Sequence, residues 1–157
     1  MKRIVVAVAL LASLFVLTGA ASTDGTTTRF FIRDTVQASL DLGEKGPSQG
    51  DQFTYHGNIF TKEGGRQIGR YGGTCMTFAA SPGVPEDSDC TLHYILPKGR
   101  LMTRLIGTTA DVFGGRPVVF SVLGGTGAYR SARGDGTIVV PTDVPNQTDA
   151  LIVLRLR

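Results

Sequence analysis

From Arg29 to the last residue the chain is cut every few positions by glycine, proline or polar clusters, and the pieces between them alternate apolar and polar side chains. No piece sustains the apolar period of a helix. This punctuation predicts an all-β fold. The strand candidates are Arg29 to Leu40, Asp51 to Phe60, Gln67 to Phe78, Thr91 to Leu96, Arg100 to Thr108, Pro117 to Leu123, Gly134 to Val140 and Ala150 to Arg157. Turn-like pieces separate them, among them SPGVPEDSD, FGGRP and GGTGAYRSAR. Eight strands on short connections predict an eight-stranded antiparallel β-barrel, because closure removes the edges that an open sheet would have to protect. No linker or repeat divides the chain.

The first residues, MKRIVVAVALLASLFVLTGAAS, join a basic start to an apolar run from Ile4 to Leu17 and to small residues at Gly19, Ala20 and Ala21. That order predicts a signal peptide over residues 1–21 and one exported domain over 22–157. The apolar run is too short for a membrane anchor, so a secreted or periplasmic protein free of the membrane is expected. Lys2 and Arg3 leave with the signal and no acid does, which lowers the formal charge from +3 to +1. The arginines are scattered singly, which argues against a nucleic-acid partner. Cys75 and Cys90 are the two cysteines of the chain, and export predicts a disulfide between them. His56 and His93 have no metal-ligand spacing, so a metal site is not expected.

A barrel of eight strands has an interior about wide enough for packed side chains or for one small ligand. The lumen is therefore the place to look for a site. In RFFIRDTVQASL the period of two puts Phe30, Ile32, Val36 and Leu40 on one face, and Asp34 falls among them. A carboxylate on an apolar face is costly unless paired, and such groups often have a chemical task. The alternative is a bulge after Arg33 that turns Asp34 out to solvent. Phe53, Tyr55 and Ile59 share the apolar face of the second run, opposite Gln52, Thr54, His56 and Asn58. Tyr55 and Tyr94 are candidate lumen residues with a polar tip, with simple packing as the alternative. The two histidines read as packed or surface residues.

The run GGTGAYRSARGDG, Gly124 to Gly136, admits three readings. A phosphate cradle would need a third glycine where Arg130 stands and a helix after it. The tripeptide Arg133, Gly134, Asp135 sits where a strand begins, away from a loop tip, and short matches of this kind recur by chance. A turn between two strands accounts for the glycines directly.

VLGGTGAYRSARGDG also resembles the GGTG-aromatic signature of dirigent proteins and, more loosely, the glycine-rich hairpin of allene oxide cyclases. FFIRDT is similar to the first strand of dirigent proteins, and GDQFTYHGNIFTKEGGRQIGRYGGTCMTF resembles the second and third strands of the cyclases. The resemblance implies an allene oxide cyclase-like or dirigent-like barrel, commonly trimeric, that works without a cofactor on a small lipophilic or phenolic molecule in its lumen. It implies Asp34 as the acid of strand one, Arg133 as the arginine near the hairpin, Asn58 as the cyclase asparagine that helps hold a water, and Cys75 as the cyclase cysteine. Ala128 departs from the pattern, since dirigent proteins that cyclise quinone methides often carry an acid there.

Two functions follow as expectations. One is a barrel that steers a cyclisation or isomerisation, with Asp34 and Arg133 in catalysis and Asn58, Tyr55 and Tyr94 against the ligand. The other is a non-catalytic ligand-binding or interaction module on the same barrel. An interior plugged by Phe and Leu favours the second, and a cavity reaching Asp34 favours the first. A hydrolase is not expected, because no nucleophile turn or histidine context supports one.

Overall fold

The alternating runs become strands that pair with their sequence neighbours, and the last returns to the first. The computed structural model describes residues 25–157 apart from residues 44, 82–83, 113 and 143–148, so the expected signal peptide lies outside the described residues. In chain order the strands are β1 (Thr26–Leu40), β2 (Gln52–Phe60), β3 (Gln67–Ser81), β4 (Val84–Leu96), β5 (Gly99–Thr108), β6 (Val118–Gly125), β7 (Gly134–Val139) and β8 (Ala150–Leu156). Every neighbouring pair is antiparallel, and β1 bonds to both β2 and β8, which closes the barrel.

Several elements run past the ends expected from sequence. β4 begins at Val84, inside the SPGVPEDSD piece read as a turn, because Asp87, Ser88 and Asp89 pair with Thr108, Gly107 and Ile106 of β5. Ladder bonds on both sides outweigh the turn-like composition. One short helix, α1 (Thr109–Val112), was not expected. Thr108 caps it: its hydroxyl accepts the Asp111 N–H at 3.0 Å and donates to Asp111 Oδ2 at 2.7 Å.

The glycine-rich run is a turn. Gly124 and Gly125 end β6, and a single 3-10 turn, Gly127–Tyr129, leads back toward β7. Gly127 has φ 61°, and a Cβ there would lie 2.4 Å from the Lys98 carbonyl oxygen. Only glycine permits both the conformation and the approach. Asp135 lies within β7, where it accepts the Arg155 Nε–H at 2.6 Å. Gly134 and Asp135 of the RGD tripeptide are therefore strand, paired across to β8, and Arg133 immediately precedes it.

The interior is packed at the barrel end where β1 starts and β8 finishes. Phe30, Ile59, Tyr94, Leu101, Ile152 and Leu154 are fully buried there, and Phe30 meets Tyr94 edge to face at 5.2 Å. At the other end the β1–β2 connection is tied down by Asp51. Its carboxylate accepts the backbone N–H of Leu42 and of Ser48, each at 2.8 Å, while the Asp51 carbonyl accepts the Thr77 N–H.

The backbone donors from Leu42 and Ser48 favour the charged form and hold the Asp51 carboxyl below its ordinary range. A carboxyl depressed by folding stabilises the native state above the unfolded-chain value and loses that contribution as pH falls through the folded one. Asp51→Asn is thus expected to lower the urea midpoint above about pH 5, and the two proteins to converge toward about pH 2. A difference constant with pH would refute this account.

Candidate functional site

Asp34 sits where β1 breaks its alternation. It pairs with Gly57 of β2, but the next pairing joins Val36 to His56, so Thr35 is an extra residue and forms a bulge. Such a bulge reverses the faces of the residues that follow. Asp34 stays inward with Ile32 before it, and Gln37 and Ser39 turn inward after it. Val36 and Leu40, expected inside, are 52% and 54% exposed on the outer surface. The break falls after Asp34 and not after Arg33, so Asp34 stays inside and two apolar residues are exchanged for polar ones.

A cavity of about 550 Å³ opens at this end of the barrel, above the packed half. Its walls are rows of residues paired across strands. The deepest row runs Asp34, Gly57, Tyr71, Tyr94, and Tyr94 is fully buried beneath the cavity. The next runs Gln37, Tyr55, Gly73, Leu92, and the one nearest the mouth Ser39, Phe53, Cys75, Cys90, Leu105. Val112 of α1 and Ile138 and Val140 on the far side complete an apolar wall.

Gln37 Nε2 donates to Asp34 Oδ2 at 2.7 Å, across the bulge, and orients the carboxylate. Tyr55 donates its hydroxyl to Cys75 Sγ at 3.0 Å, since Cys75 and Cys90 form a disulfide and carry no proton. Burial and, after it, the negative charge of Asp34 push the Tyr55 hydroxyl up, so it remains protonated at neutral pH. Burial likewise raises Tyr94.

The residues expected at the site are only partly brought together. Asp34 and Tyr55 line the cavity, and Cys75 enters its wall as half of the disulfide. Tyr94 lies below, against Phe30 and Tyr71. Asn58 faces outward, where its side-chain oxygen accepts from Gln67 Nε2 at 2.9 Å. Arg133 is at the opposite end: its backbone bonds to Arg157, beyond the last residue of β8, and its guanidinium donates to the Ala132 carbonyl at 2.8 Å. His56 and His93 are exposed on the outer face. The expectation that Asn58 and Arg133 join Asp34 is corrected by register, because Asn58 is one residue out of phase with Tyr55 and Arg133 precedes β7 at its far end.

Gln37 and Tyr71 were missed. Gln37 falls on the outer face unless Thr35 is counted as a bulge. Tyr71 had a usable signal: in RYGGTC it stands four residues from Cys75, hence on the same face of one strand.

No protein-family profile and no curated protein matches the chain in sequence. Solved structures match it in fold. A pyocyanin demethylase superposes with TM-score 0.70 at 23% identity, over 84% of this chain and 100% of the other. The Diels-Alderase AbmU from Streptomyces koyangensis gives TM-score 0.69 at 20% identity, over 85% of this chain and 65% of that one. The pterocarpan synthase dirigent protein GePTS1 gives 0.63 at 13%, over 84% and 87%. The fold is the eight-stranded barrel of the allene oxide cyclase-like and dirigent-like class. At these identities the likeness is one of architecture.

Proposed function

We propose that the cavity binds one small lipophilic or phenolic molecule and steers its cyclisation or isomerisation, with Asp34 as acid or charge stabiliser. The observation that carries the reading is a carboxylate set into the wall of a largely apolar pocket and oriented by Gln37. A pocket of this kind catalyses mainly by holding one reactive conformer, assisted by a charge placed where charge develops. The structural neighbours include proteins named for demethylation of pyocyanin, for [4 + 2] cycloaddition and for pterocarpan synthesis, which supports a small organic substrate. Export belongs to the same reading and is supported by the disulfide, which persists in oxidising compartments. So does a homotrimer, supported by apolar side chains on the outer face such as Ile106 and Val119.

The test begins with a neutral fluorescent probe, N-phenyl-1-naphthylamine, displaced by fractions of the producing culture, followed by mass spectrometry of the displacing compound after incubation. Asp34→Asn is expected to keep probe binding and to lose conversion of that compound. Unchanged conversion in the variant would remove Asp34 from the mechanism. Displacement without conversion in the wild type favours the second reading, a non-catalytic binder. That reading draws support from Arg133 lying at the far end of the barrel and from Cys75 having no free thiol.

A further inference from the structure

Three glycines on the inner faces of strands are each covered by the aromatic ring of the residue they pair with. Gly57 pairs with Tyr71, Gly73 with Tyr55 and Gly136 with Phe120. A Cβ would lie 2.8 Å from Tyr71 Cε1 at the first, 3.0 Å from Tyr55 Cε2 at the second and 2.5 Å from Phe120 Cε2 at the third. Each glycine also lies against a backbone carbonyl oxygen, that of Arg33, Thr91 or Val153. The fold thus uses each bare position: a strand weakened by glycine regains contact from a ring laid across it.

Gly107 departs from this pattern. It follows the buried Leu105 by two residues on the inner face of β5 and pairs with Ser88 of β4, and all three line the cavity. A Cβ there would meet Val118 Cγ1 at 3.7 Å and Leu105 Cδ2 at 3.8 Å, which are ordinary contacts, with no other atom of the described residues inside 4 Å beyond its chain neighbours. Its φ is not in the left-handed region, so alanine takes the same backbone without strain. Neither a ring, nor a close carbonyl, nor its own conformation requires glycine at this place. The cost remains, since glycine weakens a strand interior. What the missing side chain leaves is a bare stretch of backbone facing the cavity.

We propose that Gly107 is the seat for a planar ring of the ligand, which lies on the β5 backbone as Tyr55, Tyr71 and Phe120 lie on their glycines, and that this position selects flat molecules over puckered ones. The inference rests on the cavity being a small-molecule site and specifies the shape that site takes. A flat face brings its ring atoms to contact distance of the backbone together, whereas a saturated ring system touches at its projecting hydrogens and leaves gaps that forfeit dispersion. A side chain at residue 107 would stand between the ring and that surface.

The test compares 1-naphthylmethanol with its saturated counterpart, decahydro-1-naphthylmethanol, by calorimetry on the wild type and Gly107→Ala. Gly73→Ala provides the contrast of a glycine already covered. The wild type is expected to bind the flat alcohol about fivefold more tightly than the puckered one, and Gly107→Ala to weaken the flat alcohol about tenfold and bring the ratio near one. In the ligand-free protein Gly107→Ala is expected to leave the melting temperature equal or up to about 2 °C higher, because the methyl group finds room and the unfolded chain has less freedom to lose. Gly73→Ala is expected to lower it by at least about 5 °C. A melting temperature lowered by Gly107→Ala shows that the fold itself uses this glycine and overturns the inference. So does a ratio of affinities that Gly107→Ala leaves unchanged. A Gly73→Ala protein as stable as the wild type removes the pattern on which the inference is built. If both alcohols bind the wild type equally, the inference fails and the small-molecule site stands. If neither binds, both fail.

Discussion

Gly57→Ala is expected to destabilise the barrel by at least ~3 kcal/mol, the upper range for overpacking a filled interior. The added Cβ would lie 1.9 Å from the Arg33 carbonyl oxygen and 2.8 Å from Tyr71 Cε1. The first neighbour is backbone at the bulge that sets the inward face of β1, so relief would require moving Asp34 as well. Gly72→Ala, on the same sheet but facing outward, serves as the control. Its nearest neighbours, the Tyr55 carbonyl oxygen and His56 Cβ, are at 3.4 and 3.5 Å, which is ordinary contact. Urea unfolding of both variants should show a large loss for Gly57 and little change for Gly72. Similar midpoints would mean that the tyrosine ring does not need the glycine beneath it.

The second large effect concerns the disulfide. Cys75 and Cys90 are directly paired on β3 and β4 and close a segment of 15 residues. On the chain-entropy account, replacing both by serine releases about 3 kcal/mol of unfolded-state entropy, which for a domain of this size lowers the melting temperature by roughly 10 °C. The bond also forms part of the cavity wall and accepts from Tyr55, so affinity for N-phenyl-1-naphthylamine should fall in the same variant. A melting temperature within about a degree of the wild type would show that the ladder between β3 and β4 already supplies the constraint.

These effects arise from residues of unequal visibility in the sequence. The eight strands and their closure into a barrel are legible from alternation and glycine punctuation, because strand formation with one buried face is written in a local period of two. The pairing of Cys75 with Cys90 is legible from the oxidising destination that the first residues imply. Asp34 is legible as a carboxylate on an apolar face. Glycines inside strands, such as Gly57 and Gly73, signal that something crosses closely over them without telling what it is.

The rest depends on contacts between strands. A single extra residue, Thr35, exchanges Val36 and Leu40 for Gln37 and Ser39 on the inner face, and the alternation of β1 alone does not reveal it. Asn58 and Arg133 carry the right chemistry by resemblance, yet register turns the first outward and connectivity leaves the second at the far end. Tyr71 comes into one cross-strand row with Asp34 because each pairs with Gly57, an alignment of residues 34, 57 and 71 across three strands. Periodicity along a chain reports which residues share a face of one strand, whereas the neighbours of that face are set by register, bulges and closure. Those are properties of pairs of strands, and they come into being when the barrel closes.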